Sequence, residues 1–175
     1  MDERVILVDA QDGEIGTAEK LQAHREARLH RAFSVYIFNP QGDMLLQQRA
    51  LGKYHTPGLW TNACCSHPRP GEDVEAAAHR RLRQEMGFDV PLRKAFAFTY
   101  QAPFANGLTE HEYDHVFLGT FSGQPQPNPA EAAGCRWAPP GEVLQDLQQH
   151  PERYTPWFRI ALERVIAHAK GASSS

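Results

Sequence analysis

Two adjacent cysteines followed closely by a histidine stand out in residues 62–72, NACCSHPRPGE. A disulfide between Cys64 and Cys65 is disfavoured, because neighbouring residues rarely satisfy the geometry of the bridge. Adjacent cysteines also lack the C-x2-C spacing that is typical of a tetrahedral zinc site. If the segment is extended, Cys65 shares a face with His67, whereas Cys64 shares the opposite face with Ser66. The pattern leaves metal binding, nucleophilic attack and proton transfer open as functions of this segment.

A pair of carboxylates in the stretch TEHEYDH, residues 109–115, is the second candidate for chemistry. Side chains alternate along a strand, so Glu110 and Glu112 project to one face and His111 to the other. Two carboxylates on one face repel each other unless a cation or a proton lies between them, so the pair indicates a metal site or a solvated acidic face. Three histidines would complete a five-ligand site for a borderline divalent ion, with room for one more ligand: His24, His30 and His67.

The segment SHPRPGEDVEAAAHRRLRQEMGF partly follows the Nudix box, in which Gly, five residues, Glu and seven residues precede Arg-Glu-apolar-x-Glu-Glu-x-Gly-apolar. The following residues match the box: Glu72, Arg80, Leu82, Glu85 and Gly87. The following depart from it: Ser66, Arg81 and Gln84. The carboxylates of the box hold divalent cations for phosphoanhydride hydrolysis, and two of them are missing here. Arg81 suits contact with a diphosphate better than metal binding. The alternative is a solvated helix face with an Arg81–Glu85 pair.

The periodicity of apolar residues predicts the elements that must position these side chains. Strands are predicted for RVILVDA, EIG, RAFSVYIF, MLLQQRA, GLWTNA, KAFAFTYQA and EHEYDHVFLGTF. Helices are predicted for EDVEAAAHRRLRQEMG, GEVLQDLQQH and TPWFRIALERVIAHAK. Asp73 or Glu72 suits the start of the first of these helices, and Gly87 suits the position after its end. The segment TAEKLQAHREARLH is interpreted as a short helix or loop, and GQPQPNPAE as a Pro-rich loop. Strands dominate the first two thirds of the chain and helices its end. This order predicts an α+β (mixed α/β) fold in one layered domain.

Composition limits the class of protein. The chain has 175 residues, 41% of them hydrophobic, which is typical of one globular domain with a real core. A net charge of −3 argues against a nucleic-acid partner. An odd number of cysteines, three, favours a reduced protein without a disulfide framework, and no apolar run reaches the length of a membrane span. We therefore expect a cytoplasmic protein without a membrane partner, monomeric unless an interface shows otherwise.

Several segments together resemble type I isopentenyl diphosphate isomerases, from about Val5 to the last helix: LHRAFSVYIFN, MLLQQRA, PGLWTNACCSHP, RRLRQEMG, FTYQA, TEHEYDHVF and TPWF. The resemblance implies a Nudix-like fold with a mixed sheet flanked by helices in residues 28–170. Residues 1–27 would form a strand and loop segment packed on this domain, and residues 171–175 a disordered tail. It also implies conversion of isopentenyl diphosphate to dimethylallyl diphosphate, in which a proton is added to one end of an alkene and another is removed through a carbocation-like intermediate.

The resemblance assigns roles position by position. It implies that the catalytic residues are Cys65, Glu112 and Tyr100. The ligands of Mn²⁺ or Mg²⁺, with Zn²⁺ as a further candidate, would be His24, His30, His67, Glu110 and Glu112. A second Mg²⁺, bound with the diphosphate, would be held by Glu85 and the backbone carbonyl of Cys65. The substrate would meet Lys20, Arg49, Lys53 and Arg81 at its diphosphate and Trp157 at its hydrocarbon. If His67 holds metal, its face is the pocket face, so Cys65 faces the pocket and Cys64 is a small buried apolar residue.

Two other functions compete with the isomerase. A Nudix hydrolase acting on a nucleoside diphosphate derivative would use the carboxylate box, and Arg81 and Gln84 argue against it. A non-catalytic binding module with a structural metal would use paired cysteine spacings, and adjacent Cys64 and Cys65 argue against that. Incubation with isopentenyl diphosphate and Mg²⁺ separates the three.

Overall fold

The computed structural model describes residues 3–53, 56–104 and 106–173, and for residues 171–173 it describes the backbone alone. The strands in these ranges are β1 (Arg4–Val8), β2 (Glu14–Glu19), β3 (His30–Phe38), β4 (Met44–Arg49), β5 (Trp60–Thr61), β6 (Cys64–Ser66), β7 (Arg93–Pro103), β8 (Thr109–Thr120) and β9 (Ala132–Ala138). The helices are α1 (Lys20–Arg25), α2 (Val74–Met86), α3 (Pro140–Gln149) and α4 (Pro156–Ser173), with a 3-10 turn at Pro151–Arg153.

Strand β3 is the centre of a mixed sheet. It runs parallel to β8, with His30 opposite Glu112, and antiparallel to β6, with Ser34 opposite Cys65. Strands β1 and β4 pair with β3, β7 pairs with β8, β2 with β1, and β5 and β9 with β4. The pairing brings the first residues of β3 and β8 next to β6, where the predicted site residues lie.

Both faces of the sheet are covered, which explains why RAFSVYIF is apolar almost throughout instead of alternating with polar residues. Val35 and Ile37 join the core under α2, where Leu82 is fully buried. Tyr36 points the other way, and its ring stacks on Phe158 of α4 with 5.9 Å between centroids. The layers are therefore helix, mixed sheet and helix, which confirms the predicted α+β fold.

Helix α2 has the ends that the sequence predicts. Asp73 is its N-cap, and the Asp73 carboxylate accepts from the backbone N–H of Ala76 at 3.1 Å. Gly87 follows the last turn with a φ of 75°, in the left-handed region that favours glycine. A Cβ on Gly87 would also lie 2.9 Å from Cβ of Gln126, so the helix end and the Pro-rich loop approach each other closely.

Three predicted boundaries need correction. The segment AAGCRWA forms β9, although we expected no strand after the Pro-rich loop. Of the predicted strand GLWTNA, only Trp60 and Thr61 form a strand, β5, and β6 begins after Asn62 and Ala63. Helix α4 runs to Ser173, so residues 171–173 belong to a helix and not to the disordered tail we expected; residues 174 and 175 lie outside the described residues.

The first 27 residues add strands to the same sheet. Leu7 of β1 lies opposite His30 of β3, and α1 contacts β8. Strand β2 runs on to Glu19, so only the middle of TAEKLQAHREARLH is helical. Within the described part of the chain, no helix combines the length and apolar character needed to cross a membrane.

Candidate active site

Three imidazoles and two carboxylates converge beside the central strands. Each residue offers one ligand atom, and these atoms all lie within 4.8 Å of one another: His24, His30, His67, Glu110 and Glu112. His67 Nε2 is 2.7 Å from Glu112 Oε2, and His30 Nε2 is 3.4 Å from the same oxygen. His24 Nε2 is 3.4 Å from Glu110 Oε2. The fold therefore brings together the five side chains that we expected to form one site.

Strand pairing explains this convergence. The parallel register of β3 and β8 sets His30 opposite Glu112, and Glu110 lies two residues before it on the same face. His111 points away, and its Nδ1 lies 3.0 Å from the carbonyl oxygen of Ala27. The predicted alternation along this strand is confirmed.

The site fits a divalent cation by its donor atoms. His30 Nε2 and His67 Nε2 face each other at 3.2 Å, a contact that needs a proton or a cation. The carbonyl oxygen of Arg28 lies 2.9 Å from His30 Nδ1, so that nitrogen carries the proton and Nε2 is left as an electron-pair donor. Imidazole and carboxylate together suit Mg²⁺, Mn²⁺ or Zn²⁺.

The charges in the site depend strongly on one another. Burial alone would raise the pKa of Glu112, as would Glu110, but hydrogen bonds with His30 and His67 outweigh both and lower it. Burial lowers the pKa of His67, whereas Glu112 raises the pKa of His30 against the effect of burial. A neutral His67 beside an ionised Glu112 presents lone pairs, which is the state that binds a metal ion.

Cys65 and Glu112 face one cavity, and Tyr100 supports the carboxylate. Tyr100 lies opposite Glu112 in the pairing of β7 with β8, and its hydroxyl donates to Glu112 Oε1. Burial and the nearby Glu112 raise the pKa of Tyr100, so this hydroxyl remains a donor. Burial also raises the pKa of the Cys65 thiol, which keeps it protonated.

The two cysteines point to different surroundings, as the parity of an extended segment predicts. Cys64 is fully buried in the core under α2, and its Sγ lies 3.5 Å from Glu85 Oε2. Cys65 is half-buried and lines the cavity.

The cavity has a volume of about 750 Å³. Predicted site residues that line it are Lys20, Arg49, Lys53, Cys65, His67, Arg81, Glu85, Glu110, Glu112 and Trp157. His24, His30 and Tyr100 are buried behind this lining and contact Glu110 or Glu112. One cavity thus joins a cluster of possible metal ligands, the thiol of Cys65 and a set of cations.

The cations of the cavity are matched with carboxylates. Arg81 contacts Glu85 at 3.0 Å and Glu131 at 3.2 Å, and Lys53 pairs with the same Glu131 oxygen. Burial would lower the pKa of Arg81, but Glu85 and Glu131 raise it above its ordinary value. Arg81 is therefore charged in the cavity, and its charge is balanced by two carboxylates.

Arg49 and Trp157 lie side by side in the wall of the cavity. The guanidinium carbon of Arg49 lies 5.5 Å from the centre of the Trp157 ring, within the range of a cation–π contact. The ring of Tyr100 lies 6.3 Å from that of Trp157. Two aromatic rings therefore lie next to each other near Glu112, to which Tyr100 donates.

Two residues near the cavity were missed from the sequence. Glu131 is the last residue of the Pro-rich loop, and its backbone N–H donates to the carbonyl oxygen of Asn128 at 2.9 Å. Its pairing with Lys53 and Arg81 depends on contacts between distant segments, which local patterns do not reveal. Asn62 was recognised only as part of a motif, and its contacts to other strands and to α4 are likewise non-local.

Comparisons with known proteins agree with this geometry. A family model described as the NUDIX domain matches residues 28–158. Isopentenyl-diphosphate Delta-isomerase 2 of Aromatoleum aromaticum is 49% identical over 167 residues, which cover 95% of this chain and 88% of that protein. Isopentenyl-diphosphate Delta-isomerase of Serratia proteamaculans is 51% identical over 168 residues, covering 96% and 94%.

Solved structures show the same fold. DR0079 from Deinococcus radiodurans superposes with a TM-score of 0.79 at 22% identity, covering 93% of this chain and 98% of that one. A MutT Nudix hydrolase from Burkholderia pseudomallei gives a TM-score of 0.62 at 26% identity, covering 78% and 98%. The fold is shared with Nudix hydrolases, while the proteins about half identical over nearly the whole length are isomerases. The chain belongs to the isopentenyl-diphosphate Delta-isomerase family within the Nudix proteins.

Proposed function

We propose that this protein converts isopentenyl diphosphate to dimethylallyl diphosphate, with Cys65 and Glu112 as the acid–base pair. The observation that carries the proposal is their shared cavity: both line it, and Lys53 and Arg81 line it as well. A thiol and a carboxyl group can each give or take one proton. The cations suit the diphosphate of the substrate, while the acid–base pair suits its alkene.

The diphosphate lies among the cavity cations Lys20, Arg49, Lys53 and Arg81. A phosphate group that contacts Arg81 takes the place of the carboxylates that Arg81 now meets. The hydrocarbon lies toward Trp157, whose ring face can stabilise positive charge by roughly 0.5–2 kcal/mol. These two contacts orient the substrate, because only its diphosphate end carries charge.

In each turnover, the pair of Cys65 and Glu112 gives one proton to the substrate and takes one from it. One of the two groups delivers a proton to the terminal methylene carbon, which leaves positive charge on the tertiary carbon. The other group removes a proton from the neighbouring methylene carbon, and the double bond forms there. Tyr100 holds Glu112 in place through its hydrogen bond to Oε1. The buried setting of the pair shields the cationic intermediate from water.

Divalent cations complete the proposal. His24, His30, His67, Glu110 and Glu112 would hold Mg²⁺ or Mn²⁺, with Zn²⁺ as the other candidate. Glu85 and the Cys65 carbonyl would hold a second Mg²⁺ with the diphosphate. The bound ions supply positive charge that stabilises the ionised carboxylates and the diphosphate.

The cellular setting follows from cysteine chemistry. Cys64, Cys65 and Cys135 all carry free thiols. A thiol with a catalytic role must stay reduced, so we propose the cytoplasm as the compartment. A small diphosphate is the proposed partner, and the working state is taken to be a monomer.

Incubation with isopentenyl diphosphate and Mg²⁺, followed by NMR analysis of the products, tests the function. We expect dimethylallyl diphosphate without release of phosphate. Release of phosphate from this or from nucleoside diphosphate substrates, with no isomer formed, would instead indicate a hydrolase.

A further inference from the structure

Asn62 is a fully buried amide between β5 and β6. Its Nδ2 donates to the carbonyl oxygen of Val35 at 3.0 Å and to that of Cys64 at 2.7 Å. Its Oδ1 accepts from the Thr61 hydroxyl at 2.7 Å and from the indole N–H of Trp157 at 3.2 Å. Both donors and both lone pairs of the amide are thus used, and the orientation is fixed because carbonyl oxygens only accept.

The four partners of Asn62 come from four elements. Val35 lies on β3, Thr61 on β5, Cys64 on β6 and Trp157 on α4. An apolar side chain of similar size could fill the same space, but it would leave the two carbonyls and the indole N–H without their partner. The amide therefore fixes how these four segments meet.

Two of the partners of Asn62 lie at the cavity or next to it: Trp157 and the backbone of Cys64. Trp157 lines it, and its ring lies beside Arg49 and Tyr100. The Cys64 carbonyl belongs to the peptide unit that precedes Cys65, which also lines the cavity. Asn62 itself is buried behind this wall, so any effect on the reaction passes through other residues.

The start of α4 is hydrogen-bonded to the residues that precede Asn62. The Thr61 hydroxyl donates to Asn62 and lies 2.8 Å from the hydroxyl of Thr155, which must then be the donor of that contact. The backbone N–H of Thr155 donates to the carbonyl oxygen of Trp60 at 3.1 Å. Helix α4 begins at the next residue, Pro156, so the position of Trp157 depends on this chain of bonds.

We propose that Asn62 is a positioning residue that fixes the indole of Trp157 relative to the backbone ahead of Cys65. It thereby holds the hydrocarbon of the substrate against the acid–base pair; this inference rests on the isomerase function proposed above. Proton transfer to carbon requires a closely defined approach, and small displacements of a group far from the reacting atoms are costly. Arg49 contacts Trp157, but Lys53 and Arg81 pair with Glu131 instead, so substrate binding should depend less on Asn62 than turnover does.

A double-mutant cycle tests the coupling. We expect Asn62→Ala to lower kcat by on the order of 10²-fold, with KM changed much less. In a Trp157→Phe background, which lacks the indole N–H, Asn62→Ala should also lower kcat, but by a factor at least about fivefold smaller than in the wild-type background. An equal factor in the two backgrounds, or an unchanged kcat in Asn62→Ala, would overturn the proposal.

A second measurement does not depend on turnover. The indole N–H signal of Trp157 is assigned in the NMR spectrum by its loss in Trp157→Phe. It should exchange slowly with solvent in the wild type and much faster in Asn62→Ala, and equal exchange rates would contradict the proposal. Asn62→Ser is measured in parallel, because its hydroxyl retains part of the hydrogen bonding if the alanine variant does not fold.

Asp73→Ala is the control for general destabilisation, because it removes the cap of α2 and touches neither Trp157 nor Cys65. It should lower the melting temperature and leave kcat unchanged. A wild type without isomerase activity would refute the proposed function, whereas slow indole exchange that depends on Asn62 would still support the positioning role. If the wild type is active but Asn62→Ala and Trp157→Phe affect kcat independently of each other, the positioning role alone is refuted.

Discussion

His30 lies directly opposite Glu112 in the parallel pairing of β3 with β8, with 3.4 Å between Nε2 and Oε2. The backbone of Arg28 holds the other ring nitrogen of His30, and Tyr100 holds the other oxygen of Glu112. Both side chains are therefore oriented by hydrogen bonds at the atoms that do not face each other. The groups that make these bonds need not bind metal themselves. Such support is what fixes the direction of a ligand.

Removal of a ligand should weaken metal binding at this pair. We expect Glu110→Gln to lower the affinity for Mn²⁺ by on the order of 10–100-fold, measured by calorimetry, because a neutral amide replaces a charged ligand. Chelation should abolish turnover, and added Mg²⁺ or Mn²⁺ should restore it. His111→Gln is the matched control, since His111 faces away from the cluster and should leave the affinity unchanged. Full activity in a chelator, with metal shown absent by elemental analysis, would contradict the site.

The adjacent cysteines should differ sharply in function. Cys65→Ala should lose several orders of magnitude in kcat while it still binds metal, because the thiol in the cavity is gone. Cys64→Ala should keep most activity and lose some stability, since it opens a small space in the core under α2. Assay of the two variants side by side decides the assignment, and the reverse pattern would refute it. Substrate at saturation should also protect Cys65 from alkylation.

Arg81 should serve the diphosphate and not the fold. Arg81→Ala removes a charged group that lines the cavity, so kcat/KM should fall mainly through a higher KM. The variant should still fold, because the buried Glu85 keeps hydrogen bonds from Gln47 and Cys64 when Arg81 is removed. A variant with normal kcat/KM would show that the diphosphate is held elsewhere.

Glu131 should compete with anions for the same cations. It pairs with Lys53 and Arg81, and its pKa lies below the ordinary value because these cations outweigh the effect of burial. Glu131→Gln removes one negative charge from the cavity, so inorganic diphosphate should bind on the order of tenfold tighter in the presence of a chelator. Calorimetric titration measures this affinity. Weaker binding would show that Glu131 orients the cations for the ligand and does not compete with it.

The Glu72–Arg80 pair should contribute stability that depends on pH. Arg80 donates two hydrogen bonds of 2.8 Å to Glu72, and these lower the pKa of Glu72 below its ordinary value of 4.5. A lowered folded-state pKa means that the contribution is complete above 4.5 and is lost as the pH falls through the folded-state value. The melting temperature of Glu72→Gln should therefore lie below that of the wild type at neutral pH and approach it in acid. A difference that stays constant on acidification would show that the charge of Glu72 is not responsible.

Local patterns predicted much of the fold and part of the site. The cap at Asp73, the glycine at Gly87 and the alternation around His111 all follow from geometry within a few residues. The same alternation separated Cys64 from Cys65 before any pairing was known. These predictions succeed because each depends on one element only.

Long-range pairing limited the remaining predictions. Strand β9 was missed because Gly134 and Arg136 interrupt its apolar pattern, and its pairing with β4 stabilises it instead. The convergence of the metal ligands came from a family resemblance, since sequence spacing does not give the register of β3 against β8. Glu131 and Asn62 escaped notice for the same reason, because their partners lie in distant segments.

The parallel pairing of β3 with β8 also bears on how the chain folds and persists. Ser34 and Asp114, which hydrogen-bond at 2.8 Å across these strands, are 80 residues apart in sequence. Pairing between segments so far apart in sequence is slow, so we expect the ligand cluster to form late in folding. A cation bound there would cross-link early and late segments, and it would stabilise the native state by an amount that grows with the logarithm of its affinity. Loss of metal should therefore make the whole protein easier for a protease to cleave, well beyond the site itself.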